Sequence, residues 1–214
     1  ISNTIKCDEL LGFRFLESSH PVPNQRSINA AKEIIKILNK TDENDLIIFL
    51  ISGGGSSIVA LPEEGISLED KKLTTEILLK SGIDINTLNA VRKRISLIKG
   101  GGLLKYSYPT DVISLIISDV VGDNIDVIAS GPTVPDKSDF KVAWQEIVDL
   151  GIHNKLPKKV FSKLEGIHKD KLKDTKISLH NTVIVGNNLK SLKSAKERAE
   201  ELGYDTRILN SEVI

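Results

Sequence analysis

Short apolar, β-branched runs alternate along this chain with longer stretches whose apolar residues return every three or four positions, the period-2 and period-3.6 signatures of strands and helices. In SINAAKEIIKILNK (27–40), Ile28, Ala31, Ile34, Ile35 and Leu38 make one helical stripe. DLIIFLIS (45–52) then predicts a strand buried on both faces, as strands of parallel sheets are. SLEDKKLTTEILLKSG (67–82) predicts a helix opened by Ser67 and Asp70 in capping-box spacing, with Asp in place of the usual Glu or Gln, and stopped at Gly82. A shorter helical piece follows in INTLNAVRKRIS (85–96).

DVISLIIS (111–118) predicts a second buried strand, and TVIVG, ending at Gly186, a third. Helices are predicted in KSDFKVAWQEIVDLG (137–151), in PKKVFSKLEG behind Pro157, and in NNLKSLKSAKERAEELG up to Gly203. The lysine-rich 168–176 reads as a solvated loop and YDTRIL (204–209) as a fourth strand. Strands feeding crossover helices in this order predict an α/β fold with an open, mainly parallel sheet and helices on both faces. No internal repeat, linker or low-complexity tract interrupts it.

Charge removes some partners: 29 basic and 29 acidic residues cancel, leaving no global field for nucleic acid or an anionic membrane and favouring a small-molecule ligand. Cys7 is the only cysteine, which excludes an internal disulfide framework and fits a reducing cytoplasm. No apolar run reaches the ~18 residues of a membrane span, and the start lacks the layout of a signal peptide. The chain contains no methionine, even at position 1, and so reads as a fragment.

Candidate chemistry gathers where strands end, which is where open α/β sheets bind ligands. After the first predicted strand come Ser52, Gly53, Gly54, Gly55 and Ser56, a backbone able to approach an anion closely. A tight turn with no ligand is the alternative reading. The string is neither a Walker A loop nor a dinucleotide fingerprint, since Ile58 takes the third glycine's place. VRKRISLIKGGG sets Arg92, Lys93, Arg94 and Lys99 beside Gly100, Gly101 and Gly102; Arg92 and Lys99 are the candidate phosphate partners, against a solvated helix face. Asp119, Asp123 and Asp126 follow the second strand, where carboxylates hold Mg²⁺ or cap turns. In ASGPTVPD, Ser130, Gly131 and Thr133 offer donors on a proline-stiffened loop. Gly186 and Asn187 form the third polar strand end, and His20 sits in a small-plus-proline loop, SSHPVPN.

HPVPN, LISGGGSS, the long LPEEGISLEDKKLTTEILLKSGIDINTLNAVRKRISLIKGGGL and SDVVGDNIDVIASGPTVPD, together with VIVGNN, resemble, in order, the glycerate kinase family whose members carry a C-terminal MOFRL domain. The resemblance covers essentially all 214 residues and implies that 1–214 is the large Rossmann-like domain of a two-domain kinase, incomplete at its N-terminus and lacking the MOFRL domain. It implies ATP-dependent phosphorylation of D-glycerate, with 2-phosphoglycerate favoured and Mg²⁺ as cofactor, in an interdomain cleft. Carried onto this chain, the catalytic candidates are Arg92, Lys99 and Asp119. Those for nucleotide or substrate binding are Ser52, Gly53, Gly54, Gly55, Ser56, Gly100, Gly101, Ser130, Gly131, Gly186 and Asn187, and those for metal are Asp119 and Asp123. Arg94 stands where many relatives have histidine, and Gly102 where many have arginine. A homodimer is the assembly considered. Two other classes stay open: a non-catalytic sugar-phosphate-binding regulator, and a Rossmann-type oxidoreductase, which the absent third glycine disfavours.

Overall fold

In the computed structural model, residues 12–169 and 176–210 are described; Cys7 and the rest of 1–11, 170–175 of the lysine-rich stretch, and the 211–214 end lie outside them. Asn24, Ser67, Asp84, Asp139 and Asn187 each open a helix by accepting a backbone N–H on the side chain. Helix α1 (Gln25–Leu38) is opened by Asn24, whose side chain accepts from the Arg26 N–H in a box completed by Ser27. Strand β1 (Leu46–Ile51) follows, and then a single helical turn, α2 (Gly55–Ile58), at the end of the glycine run. Helix α3 (Leu68–Lys80) carries the expected capping box: the Asp70 N–H donates to Ser67 Oγ at 2.9 Å and the Ser67 N–H to Asp70 Oδ2 at 3.1 Å. Helix α4 (Ile85–Arg94) is capped by Asp84, and a short α5 (Gly102–Ser107) rises from the second glycine run.

Strand β2 (Asp111–Ile117) leads through two 3-10 turns into α6 (Phe140–Asp149). Helix α7 (Lys158–Lys169) takes its first bond on the Pro157 carbonyl and runs three residues past the predicted end. Strand β3 (His180–Gly186) and α8 (Asn188–Glu201), capped by Asn187, complete the order. Gly82 and Gly203 do terminate α3 and α8, each with the positive φ (69° and 86°) that suits glycine.

The three strands pair in the order β1-β2-β3, all parallel, with Ile48 opposite Ile113 and Leu115 opposite Val183. The α/β class with a parallel sheet therefore holds. Two finer expectations do not. Residues 204–209 form no strand, because no neighbouring strand supplies a ladder among the described residues, and Tyr204 and Leu209 are exposed. Nor are β1 and β3 buried on both faces: Ile47 and Phe49 of β1 pack against α1 and α5, while Leu46, Ile48 and Leu50 of β1 and Val183 and Val185 of β3 are exposed. A second, larger core lies among α3, α4, α6 and α7, where Leu78, Val91, Ile147 and Leu164 are fully buried around Trp144. Helices α3 and α4 of this layer carry Lys71 and Arg92.

Candidate active site

Ser52, Ser118 and Asn187 follow β1, β2 and β3 at the same edge of the parallel sheet, and the Ser118 N–H donates to the Gly186 carbonyl at 2.8 Å, which sets the ends of β2 and β3 side by side. Protein groups crowd the first glycine run. A Cβ on Gly53 would lie 2.0 Å from Asp119 Oδ2, one on Gly54 would meet the His20 ring at 3.1 Å, and one on Gly55 the Ala129 methyl at 3.0 Å. The glycines thus admit a carboxylate, an imidazole and a loop to the backbone.

Ser56 is the hub. Its Oγ accepts from Arg92 Nη2 at 3.1 Å and from Lys99 Nζ, and lies 3.1 Å from Ser130 Oγ. Lys99 Nζ also donates to Ser130 Oγ at 2.9 Å and to the Ser56 carbonyl at 3.3 Å. Four sequence candidates are thereby brought into one network. Lys99 is buried, and its ammonium is held well below the ordinary lysine range, first by burial and then by Lys71, Arg92 and Lys93. Burial also lowers Arg92.

The loop that delivers Ser130 is held from three sides. Gly100 and Gly101 donate their N–H groups to the Ser130 and Gly131 carbonyls (3.1 and 2.7 Å), and Leu103 N–H bonds to the Pro132 carbonyl at 3.0 Å. Below it, Ser114 Oγ of β2 donates to Thr133 Oγ1 at 2.8 Å. The bracing keeps Ala129 and Ser130 at φ of 50° and 64°, a left-handed backbone that costs each about 1–2 kcal/mol. Gly100 and Gly101 therefore brace the site with the N–H groups expected to cradle phosphate. A Cβ on Gly102 would stand 2.1 Å from the Leu97 carbonyl oxygen, so an arginine there requires the turn to shift.

Arg92, Lys99, Ser56 and Gly54 line a cavity of about 650 Å³ together with His20 and Lys71. Lys71 is the residue sequence reasoning missed. It is 6 % exposed, and its Nζ has no hydrogen-bond partner among the described residues. Burial, with Arg92 adding repulsion, lowers its ammonium to about 8. The available signal was its place on the buried stripe of α3 with Leu68, Thr74 and Leu78.

A second cavity, of about 380 Å³, brings Asp119, Asp123 and Asn187 together. Asp123, at φ 54°, accepts from Asn187 Nδ2 at 2.5 Å, while Asn187 Oδ1 caps α8 at the Lys190 N–H. Asp119 is exposed and has no hydrogen-bond or ion-pair partner among the described residues. No group of three carboxylates, histidines or cysteines suited to a metal occurs among those residues. Two carboxylates at a strand end nonetheless fit Mg²⁺, which keeps waters and shares substrate phosphate oxygens. Lys93, Arg94 and Asp126 have other work: Lys93 is buried between Asp126 (2.6 Å) and Asp136 (3.4 Å), and Arg94 pairs with Asp136 at 3.1 Å. Among the described residues no helix is long and apolar enough to cross a membrane.

Comparison with known proteins adds relatives over nearly the whole chain. A protein of Pyrococcus horikoshii named glycerate 2-kinase is 45 % identical over 207 residues, 95 % of this chain and 47 % of that protein. One of Thermotoga maritima named D-glycerate 2-kinase is 38 % identical over 201 residues, 93 % of this chain and 46 % of that protein. The crystal structure of a glycerate kinase from Thermotoga maritima superposes with a TM-score of 0.81 at 36 % identity, covering 94 % of this chain and 47 % of that one. The chain thus spans about half the length of these relatives. Residues 3–165 match the family model described as a domain of unknown function (DUF4147), and the chain belongs to that family.

Proposed function

We propose that this chain is part of an ATP-dependent kinase that phosphorylates D-glycerate, at the 2-hydroxyl. The observation that carries the reading is the Ser56 hub, where Arg92 and Lys99 converge at the carboxyl ends of a parallel sheet, with Asp119 over the adjoining Gly53. Relatives named as glycerate 2-kinases support both substrate and position.

Phosphoryl transfer asks a protein for position and charge rather than covalent chemistry. The bond between the ATP γ-phosphorus and its bridging oxygen breaks, one forms to the glycerate O2, and the hydroxyl proton needs an acceptor. Arg92 presents a planar fork to the phosphoryl oxygens or the glycerate carboxylate, and Lys99 adds a point charge from the buried side. Ser56 and Ser130 orient Lys99. Asp119 is the carboxylate free to take the hydroxyl proton; it and Asp123 are also the residues that would hold Mg²⁺, which would supply charge neutralisation at the phosphates. Localisation in the cytoplasm and a homodimeric assembly belong to the same reading.

The test is a phosphorus NMR time course of the full-length protein with ATP, Mg²⁺ and D-glycerate. A 2-phosphoglycerate resonance growing with ADP is expected. A 3-phosphoglycerate resonance would overturn the position, and an unchanged ATP spectrum from folded protein would overturn the kinase.

A further inference from the structure

We propose that Lys71, with Arg92 and Lys99, completes a three-cation pocket that takes the dianionic phosphate of a phosphomonoester, and that Lys71 is what makes the pocket select a dianion over a monoanion. This rests on the kinase reading where it identifies that phosphomonoester with the phosphorylated product; the three cations line one cavity whatever the reaction.

A buried ammonium without a hydrogen-bond partner is a costly arrangement, and Lys71 is one, lining the cavity that Arg92 and Lys99 also line. Neither neighbour is paired with a carboxylate among the described residues. Arg92 bonds to Ser56 and Asn89, and Lys99 to Ser56 and Ser130. The charged and titratable groups facing Lys71 across the cavity are His20, Lys72, Glu76, Lys80, Arg92 and Lys99. Glu76, the single carboxylate lining the cavity among the described residues, is held by Lys80 at 2.6 Å. A monocarboxylate would neutralise one of the three cations, of which Lys71 and Lys99 are buried and Arg92 half-buried; a tetrahedral dianion neutralises two and offers oxygens to all three.

Binding must therefore change protonation. Unliganded, Lys71 and Lys99 hold their protons weakly because each is buried among like charges; an arriving dianion reverses the sign of the local field. Near pH 8.5 the bound state should take up protons from solvent, with Lys71 contributing a large share.

The experiment is calorimetric titration of inorganic phosphate into the full-length protein at about pH 8.5, where phosphate is dianionic, in two buffers of different ionisation enthalpy, which yields the proton count. Wild type is expected to bind with net proton uptake. Lys71→Met should bind about tenfold or more weakly and take up fewer protons. Lys71→Arg, which keeps the charge but does not titrate, should hold affinity within about threefold while losing the same share of uptake. Wild-type binding without proton uptake, or unchanged affinity and uptake in Lys71→Arg and a folded Lys71→Met, would overturn the proposal. The glycerate assay on the same preparations separates the two readings. Phosphate binding with the expected proton count but no phosphoryl transfer removes the kinase and leaves the pocket; normal transfer with an indifferent Lys71 does the reverse.

Discussion

Gly53 ties the end of β1 to the end of β2, because the space a side chain would occupy already holds the Asp119 carboxylate. Gly53→Ala must push that carboxylate aside. If Asp119 handles the hydroxyl proton, a displacement near 1 Å is expected to lower turnover about 100-fold while the protein remains folded; steady-state kinetics beside circular dichroism check it. Lys71 supports a prediction of a different kind. Its folded value of about 8 lies below the ordinary 10.5, so between these values the unfolded chain binds the proton that the folded chain lacks. By linkage, stability attributable to Lys71 rises with pH across that window, and below about pH 8 its penalty is present in full. Urea unfolding of wild type and Lys71→Met should show the variant more stable at pH 7.5, with the gap closing toward pH 10.5; a gap that widens would contradict the burial argument. The same residue explains one blind spot of the sequence. A lysine in SLEDKK reads as solvated surface until the stripe it shares with Leu68, Thr74 and Leu78 is seen to face inward, whereas Arg92 and Lys99 announced themselves by standing beside glycines.

Helix α3 is the element on which that inward lysine depends, and its first turn is fixed by Ser67 and Asp70 exchanging hydrogen bonds. Ser67→Ala should lower stability by about 1 kcal/mol and loosen the turn that places Lys71. The measurement is the urea midpoint at unchanged slope, and a shift below a quarter of that size would show the cap to be unnecessary here. Caps of this kind are why helix ends were legible: Ser67, Gly82, Asn187 and Gly203 act within one turn of their own position. The short α2 and α5 were not legible, because glycine runs disfavour helix locally and these turns exist through tertiary bonds such as Leu103 N–H to the Pro132 carbonyl. The strands divide along the same line. β1, β2 and β3 show in their β-branched runs, but whether a strand is covered, or whether 204–209 has a partner at all, depends on neighbours that no local window contains.

The sheet as a whole carries the largest departure from that local logic. Parallel strands are ordinarily buried on both faces, and here one face meets α1 and α5 through Ile47 and Phe49 while the other presents Leu46, Ile48 and Leu50 of β1 with Val183 and Val185 of β3. In register these side chains lie across adjacent strands, since Ile48 faces Ile113 and Leu115 faces Val183, so they form one apolar surface rather than scattered residues. Contiguous apolar area of this kind binds hydrophobic dyes and promotes self-association in water. The 214-residue chain produced alone should therefore enhance anilinonaphthalene sulfonate fluorescence, and Ile48→Lys with Leu50→Lys should cut that signal by about half or more. Because both side chains are more than half exposed, at 55 % and 78 %, the double substitution should move unfolding free energy by no more than about 1 kcal/mol. Retained fluorescence would put the dye on another surface. A loss of several kcal/mol would mean instead that these side chains pack within the chain itself, and the outward face of β1 would have to be reassigned.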